Sequence, residues 1–281
     1  MSLPIEINKI ILLSDMDGTL LDSNSIASEK NKEAIRKFVE LGGNFGIATG
    51  RGHQNALGFL DGVMINTPSI VYNGSMLYDF EKAAPSVMKT LPAEKLTESI
   101  LWLMDSYKEV MVQIYGAEMS YIVSSRESAD EEVLIYHQPA TFIHLDNILK
   151  EDWVKILISG NHDDLVALEK HLEESHLKDK VRWVFSSEIF LEILPLDVSK
   201  GTMLHELRKH YSDEHQIIAI GDFYNDIEMI QEADCGIATF NAPEAIKNLS
   251  DRVTVSNDDS AVASVIEDIL ANRIFNEGEE Q

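Results

Sequence analysis

Cysteine is almost absent from this chain. Cys235 is the single cysteine among 281 residues, so no internal disulfide can form. Disulfides are typical of proteins from oxidising compartments, and nothing in the cysteine content requires such a compartment. We therefore expect a cytoplasmic protein. Its 44% hydrophobic content is enough to build a large apolar core.

Basic residues are scarce relative to acidic ones. Lys and Arg total 23 against 48 Asp and Glu, which gives a formal net charge of −25. A surface with this charge repels polyanions and anionic lipid headgroups. We therefore expect no nucleic-acid partner and no membrane partner. An anionic substrate would need a few local cations or a bound metal ion to attract it.

Long hydrophobic runs are missing near the N-terminus. The apolar run from Ile10 to Leu13 covers four residues before Ser14 and Asp15 follow. Such a run is too short for a signal peptide or a membrane-spanning helix. The nine histidines show no paired spacing of the H-x-x-x-H kind, so a zinc site is not expected either.

Short apolar runs alternate with longer amphipathic runs in two separate parts of the chain. The first part predicts strands at residues 9–14, 44–48 and 69–72, with helices at 28–41 and 52–60 between them. The same alternation returns between residues 200 and 271. Strands and helices alternating at this spacing predict an α/β fold: a Rossmann-like, doubly wound parallel sheet with helices on both faces.

The pattern changes between about residues 84 and 189. Strand-like and helix-like runs there follow one another without the regular alternation. We predict an inserted α+β domain at residues 84–189, with the core built from residues 1–83 and 190–281. Just before this insertion, Asn73-Gly74 predicts a tight hairpin turn leading into a strand at residues 76–79.

Two aspartates follow the first predicted strand. Asp15 and Asp17 are spaced i, i+2, so both can face one crevice, with one carboxylate attacking and the other handling protons. Gly18 lets the backbone approach a phosphate closely. An acidic turn with solvated aspartates is the competing interpretation. A calcium loop fits less well, because Thr19 stands where its spacing needs another ligand.

Polar residues with affinity for anions follow at two further places. Thr49-Gly50-Arg51 ends the second predicted strand, where a hydroxyl and backbone N–H groups can hold phosphate oxygens. Lys200 stands at the start of a predicted helix, where the helix dipole does not favour a cation, so a local anion is an attractive partner. Ordinary loop chemistry and a solvated surface lysine are the alternatives.

A second acidic group follows the predicted strand at residues 216–220. Asp222 and Asp226 supply hard oxygen donors of the type that Mg²⁺ binds, although a capped helix start would show the same residues. The joint occurrence of all these groups at strand ends and helix starts favours one shared crevice, because ligands of such sheets bind beyond the carboxyl ends of the strands.

Four segments, in this order, resemble the motifs of the haloacid dehalogenase-like hydrolases: DMDGTL, IATGR, VSKG and GDFYND. The stretches PSIVYNGSMLYD and ADCGIATFNAPEAIK resemble the Cof-type subgroup with its class IIB cap, a large α+β domain inserted after the third strand. The resemblance implies that residues 84–189 form this substrate-specificity cap. Two positions depart from the subgroup. Phe240 stands where its members usually have Gly before Asn-Ala-Pro, and Ser260 stands where the pattern Asn-Asp-x-x-Gly-Val is commoner.

The resemblance also implies a role for each site residue. Asp15 would attack phosphorus and form an aspartyl-phosphate, while Asp17 would act as the acid and base. The phosphate or substrate would be bound by Gly18, Thr49, Gly50, Arg51, Lys200 and Asn225. Magnesium would be bound by Asp15, the Asp17 carbonyl oxygen and Asp222, with Asp226 in support.

We therefore expect a Mg²⁺-dependent phosphatase, monomeric or homodimeric, whose partner is a small phosphorylated metabolite such as a sugar phosphate or a phosphorylated cofactor. A phosphomutase of the same superfamily is the alternative. A non-catalytic phospho-accepting regulatory domain is a third interpretation, but such a domain needs no Asp17.

Overall fold

The computed structural model describes residues 6–125 and 140–275, and contacts divide the chain into two units. The first unit comprises Met1–Val87 and Ser199–Gln281, and the second comprises Met88–Val198. The boundaries expected from sequence, after residues 83 and 189, lie four and nine residues earlier. The later one differs because Phe190–Pro195 forms a strand that pairs inside the second unit. The exact domain boundaries stay predictions.

Strands and helices follow one another throughout the described parts of the chain. The strands are β1 (Ile10–Ser14), β2 (Asn44–Ile47), β3 (Ser69–Val71), β4 (Met76–Asp79), β5 (Ala84–Met88), β6 (Met111–Gly116), β7 (Ser120–Ile122), β8 (Ala140–Phe142), β9 (Trp153–Ser159), β10 (Val181–Ser187), β11 (Phe190–Pro195), β12 (Gln216–Gly221), β13 (Cys235–Ala238) and β14 (Arg252–Val253). The helices are α1 (Glu29–Glu40), α2 (His53–Leu57), α3 (Ala93–Ser106), α4 (His162–Glu174), α5 (Lys200–Arg208), α6 (Ile227–Glu232), α7 (Glu244–Lys247) and α8 (Ala261–Leu270).

A five-stranded parallel sheet forms the centre of the first unit, in the order β14-β13-β12-β1-β2. Alternate residues of β1 enter different apolar clusters: Ile10 and Leu12 pack with α1 and α8, whereas Ile11 and Leu13 pack with α5 and α6. A strand buried on both faces has to be apolar throughout, which explains the unbroken apolar run that begins at Ile10. The predicted doubly wound α/β fold is confirmed.

Side-chain caps fix where two helices of this unit begin. Ser28 accepts a hydrogen bond from the Asn31 N–H at the start of α1. Ser199 and Thr202 form a reciprocal capping box at the start of α5. The second cap sets the position of Lys200, the first residue of α5.

The third strand departs from the prediction. β3 was expected in the parallel sheet, and it meets β2 in parallel through one bridge between Ala48 and Ile70, but its ladder belongs to a separate three-stranded sheet, β3-β4-β5. The predicted hairpin is confirmed, since β3 and β4 are antiparallel. Tyr72, Asn73 and Gly74 make its turn with φ values of 53°, 52° and 98°.

The second unit contains a six-stranded sheet in the order β10-β11-β9-β6-β7-β8, antiparallel except for the β7–β8 pair. Helices α3 and α4 pack against one face through a single apolar cluster. This architecture confirms that the insertion is an α+β domain. None of the helices in the described parts of the chain is long and apolar enough to cross a membrane.

The opposite face of this sheet carries a buried polar network. The Lys155 ammonium lies 3.3 Å from a Glu192 carboxylate oxygen. The Tyr115 hydroxyl donates to the Gln113 amide, which in turn donates to the Ser120 hydroxyl. Strand alternation therefore separates an apolar face from a polar one.

Candidate active site

The carboxyl ends of β1 and β12 bring oppositely charged side chains into contact. Asp15 directly follows β1, and its N–H donates to the Ile220 carbonyl at 2.9 Å. The Lys200 ammonium donates to Asp15 Oδ1 and to Asp226 Oδ1, each at 2.6 Å. Lys200 is fully buried and Asp15 is 6% exposed. Segments from distant parts of the sequence thus meet in one buried cluster.

Asp222 completes this cluster. Carboxylate oxygens of Asp15, Asp222 and Asp226 all lie within 4.8 Å of one another. Thr19 Oγ1 donates to Asp222 Oδ1 at 2.9 Å and fixes that carboxylate. Gly18 has φ +81°, and a Cβ at that position would overlap the Asp222 carboxylate. The turn after Asp15 therefore needs glycine both for its backbone conformation and for its close approach to Asp222.

The cluster carries an excess of negative charge. Burial raises the pKa of Asp15 well above its usual range, Lys200 opposes that shift, and Asp226 and Asp222 add to it. Burial, and then Asp226, raise the pKa of Asp222 to about 6. Burial alone would lower the pKa of Lys200, but Asp15 and Asp226 outweigh it and raise that pKa. One ammonium therefore faces three carboxylates, and a divalent cation would balance the remaining charge.

The oxygen donors of the cluster fit Mg²⁺. Asp226 has both oxygens engaged, one by Lys200 and the other by the N–H groups of Asp222 and Phe223 at 3.0 and 3.1 Å. Asp226 is therefore placed to support the cluster, whereas Asp15 and Asp222 offer the hard oxygen atoms that Mg²⁺ prefers. Within the described residues these three aspartates could hold a metal ion.

The Asp17 carboxylate pairs with Arg51 rather than with Lys200. Arg51 donates to both carboxylate oxygens of Asp17, each at 2.7 Å, and to Asn55 Oδ1 at 2.6 Å. The guanidinium also lies 4.0 Å from the centre of the Phe59 ring. The Asp17 side chain is 50% exposed. The structure thus pairs Arg51, which the sequence suggested as a phosphate ligand, with the predicted acid and base, and both roles stay predictions.

Asn73 lies between the predicted phosphate loop, Thr49-Gly50-Arg51, and Asn225, and it was not among the site residues predicted from the sequence. Thr49 is buried, and its Oγ1 accepts a hydrogen bond from the Arg51 N–H at 3.1 Å. The Asn73 carboxamide lies over Gly50, and Asn225 Nδ2 donates to Asn73 Oδ1 at 3.0 Å. One signal could have identified Asn73, because it follows the third strand just as the other motifs follow theirs.

Asn241 is a second residue whose place at the site was not foreseen. Its Nδ2 donates to the Gly18 carbonyl at 2.9 Å, and its Oδ1 accepts from the Asn257 N–H at 3.1 Å. Asn241 thereby ties the turn after Asp15 to a loop near the C-terminal end of the described chain. The sequence offered Asn241 only as part of a resemblance, without a contact.

A doubly wound α/β core with an aspartate–lysine cluster at the carboxyl ends of its strands is the arrangement expected from the four motifs. The family model described as haloacid dehalogenase-like hydrolase matches residues 12–266, so the chain belongs to that family.

Curated relatives extend over nearly the whole chain. The 5-amino-6-(5-phospho-D-ribitylamino)uracil phosphatase YitU of Bacillus subtilis is 24% identical over 270 residues, covering 95% of this chain and 100% of that protein. The phosphatase YwtE of the same organism, named for the same substrate, is 29% identical over 285 residues, covering 92% and 97%. A crystal structure from Thermotoga maritima has a TM-score of 0.80 and 28% identity, covering 96% and 99%.

Proposed function

We propose that this protein is a Mg²⁺-dependent phosphatase that hydrolyses phosphomonoesters of small metabolites through an aspartyl-phosphate on Asp15. The observation that carries the proposal is the buried Asp15 carboxylate, 2.6 Å from Lys200 and grouped with Asp222 and Asp226. A carboxylate held in this way can attack phosphorus while a cation steadies the phosphoryl oxygens. Relatives named as phosphatases support the reaction type.

In the first half-reaction an Asp15 oxygen attacks phosphorus and the bond from phosphorus to the ester oxygen breaks. A protonated Asp17 gives its proton to the departing oxygen, so an alcohol leaves. Arg51 engages both Asp17 oxygens, so this pair opens before Asp17 carries a proton. Thr49, Lys200, Asn225 and the N–H groups near Gly18 and Gly50 hold the transferring phosphoryl oxygens.

In the second half-reaction water attacks the same phosphorus. Asp17, now a carboxylate, takes a proton from that water. The bond between phosphorus and the Asp15 oxygen breaks, which releases inorganic phosphate and restores the Asp15 carboxylate. Lys200, 2.6 Å from the restored carboxylate, opposes its protonation between turnovers.

Asp15, Asp222 and the main-chain carbonyl of Asp17 would hold the magnesium ion, and Asp226 would support them. When bound, Mg²⁺ offsets the repulsion between a carboxylate and a phosphate dianion. The chain's own contribution is to keep Asp222 in place, through the Thr19 hydroxyl and the close packing of Gly18.

The substrate that we propose is a small phosphorylated metabolite, a sugar phosphate or a phosphorylated cofactor, acted on in the cytoplasm. The two Bacillus subtilis relatives are named for the phosphate ester of a ribityl chain. The charge of −25 excludes polyanions from the surface more strongly than it excludes a small ester, which a metal-bearing site can still attract.

The test is phosphate release from p-nitrophenyl phosphate and from a panel of phosphorylated sugars, polyols and cofactors, with Mg²⁺ or with EDTA. We expect release that requires Mg²⁺ and that falls by at least roughly a thousandfold in Asp15→Asn, because no nucleophile remains. Asp17→Asn should lose turnover as well. A need for a bisphosphate activator would indicate a mutase, and unchanged release by Asp15→Asn would contradict the proposal.

A further inference from the structure

The turn from Tyr72 to Gly74 lies in the stretch PSIVYNGSMLYD and outside the four motif segments, several of which it contacts. All three of its residues have positive φ. A Cβ on Gly74 would overlap the Ser199 carbonyl, so the turn packs directly against the start of α5, which carries Lys200. A left-handed stretch of this kind persists only where its surroundings hold it in place.

Asn73 is held at both its backbone and its side chain. Its N–H donates to the Thr49 carbonyl at 3.0 Å, and its side chain accepts the hydrogen bond from Asn225 at 3.0 Å. The same carboxamide lies over Gly50, where a Cβ would stand 3.0 Å from Asn73 Nδ2. Asn73 is 4% exposed, and asparagine tolerates left-handed φ better than most residues.

We propose that Asn73 is a positioning residue for the transferring phosphoryl group. Its side-chain oxygen accepts the hydrogen bond from the Asn225 amide and fixes the orientation of that amide. Its carboxamide packs on Gly50 and fixes the position of the Thr49–Gly50 loop. Two phosphate-binding segments that lie far apart in the sequence are thereby set in one geometry before substrate arrives. This inference rests on the proposed phosphatase function and adds a residue that the four motifs do not contain.

Asn73→Gly removes the carboxamide and keeps the left-handed backbone. We expect kcat/KM for p-nitrophenyl phosphate to fall on the order of tenfold, the effect of losing one well-placed hydrogen bond. Asn272→Gly is the matched control, because Asn272 also has positive φ, 58°, and is no part of the candidate site. The control should stay within roughly twofold of wild type, and an equally small change in Asn73→Gly would overturn the inference.

A double-mutant cycle with Asn225→Ala separates positioning from general stability. Because part of the effect of Asn73 runs through Asn225, Asn73→Gly should slow kcat/KM by a clearly smaller factor in the Asn225→Ala background than in wild type. A merely structural role would multiply the two losses, and that result would overturn the inference. Melting temperatures of both single variants show whether each is folded at the assay temperature.

Asn73→Asp provides an independent test if Asn73→Gly does not fold. It keeps an acceptor for Asn225 and places a negative charge beside the Thr49–Gly50 loop. We expect a higher KM and several-fold weaker binding of inorganic phosphate, measured by calorimetry with Mg²⁺, than in Asn272→Asp. Equal phosphate binding in the two variants would overturn the inference. Failure of the phosphatase proposal would look different, because wild type itself would then release no phosphate.

Discussion

Three carboxylates crowd around one buried lysine, and this crowding has a consequence for stability. The pKa of Asp222 rises from 3.8 to about 6 in the folded chain, chiefly because the group is buried. Between these two values the folded state binds more protons than the unfolded state does, so stability falls as pH rises through this window. The pKa of Asp15 is raised in the same direction. The site therefore destabilises the metal-free protein at neutral pH.

Asp222→Asn tests this consequence, because the amide keeps the shape and removes the charge. In EDTA at pH 7.5 we expect the variant to be more stable than wild type by roughly 1–2 kcal/mol, with the difference shrinking as pH falls towards 4. Thermal unfolding at both pH values measures it. Mg²⁺ should raise the melting temperature of wild type more than that of the variant. A variant that is less stable at pH 7.5 would contradict this interpretation of the cluster.

The sequence anticipated which charged residues would meet, but not the pairing of every side chain. Asp15, Lys200, Asp222 and Asp226 were predicted to converge because each follows a strand end or starts a helix, and backbone topology alone brings such places together. The pairing of Asp17 with Arg51 depends on side-chain rotamers, which no spacing rule fixes. The catalytic and binding roles of these residues stay proposals.

Among the elements, the turn that joins β3 to β4 shows what sequence patterns can and cannot predict. The Asn-Gly pair predicted the hairpin correctly, because these residues adopt left-handed φ readily. β3 meets β2 in parallel, but through a single bridge, and its ladder is with β4, because strand propensity says nothing about which neighbour a strand pairs with. Ser260, noted as a departure from the family, has φ +67°, where glycine is more usual.

Gly74→Ala tests how closely this turn packs against α5. Gly42 serves as the matched control, because it also has φ +98° but a Cβ there would come no nearer than 3.3 Å to its neighbour, Asn8. Gly42→Ala should lose about 1 kcal/mol of unfolding free energy for its backbone strain. Gly74→Ala should lose at least about 2 kcal/mol more, because the Ser199 carbonyl has to move. Equal losses of unfolding free energy in the two variants, measured by urea unfolding, would show that the turn does not pack tightly against α5.

For the whole molecule, the net charge of −25 sets the long-range field that a substrate meets. This field repels an anionic phosphoester, and added salt screens the repulsion over about 10 Å at 0.1 M ionic strength. At saturating Mg²⁺ we expect kcat/KM to rise by about twofold between 10 and 200 mM NaCl while kcat stays constant. A steady fall in kcat/KM over this range would mean that local cations, not the overall charge, govern the encounter.

The division into two units is also a property of the whole chain. The change of pattern after about residue 84 predicted an insertion, because regular alternation of strands and helices stopped there. The predicted insertion ended before β11, since the pairing of β11 with β9 and β10 cannot be read from its own residues. Long-range pairing of this kind is the part of the fold that local patterns leave undetermined.

The proposed function depends above all on one step, in which Asp15 carries the phosphoryl group between the two half-reactions. Asp17→Asn should slow the water step, so the intermediate should accumulate when this variant meets p-nitrophenyl phosphate and Mg²⁺. After an acid quench, peptide mass spectrometry should find one phosphoryl group on Asp15, and none in the Asp15→Asn/Asp17→Asn double variant. Phosphate found on another residue, or wild-type turnover that survives Asp15→Asn, would contradict this role of Asp15.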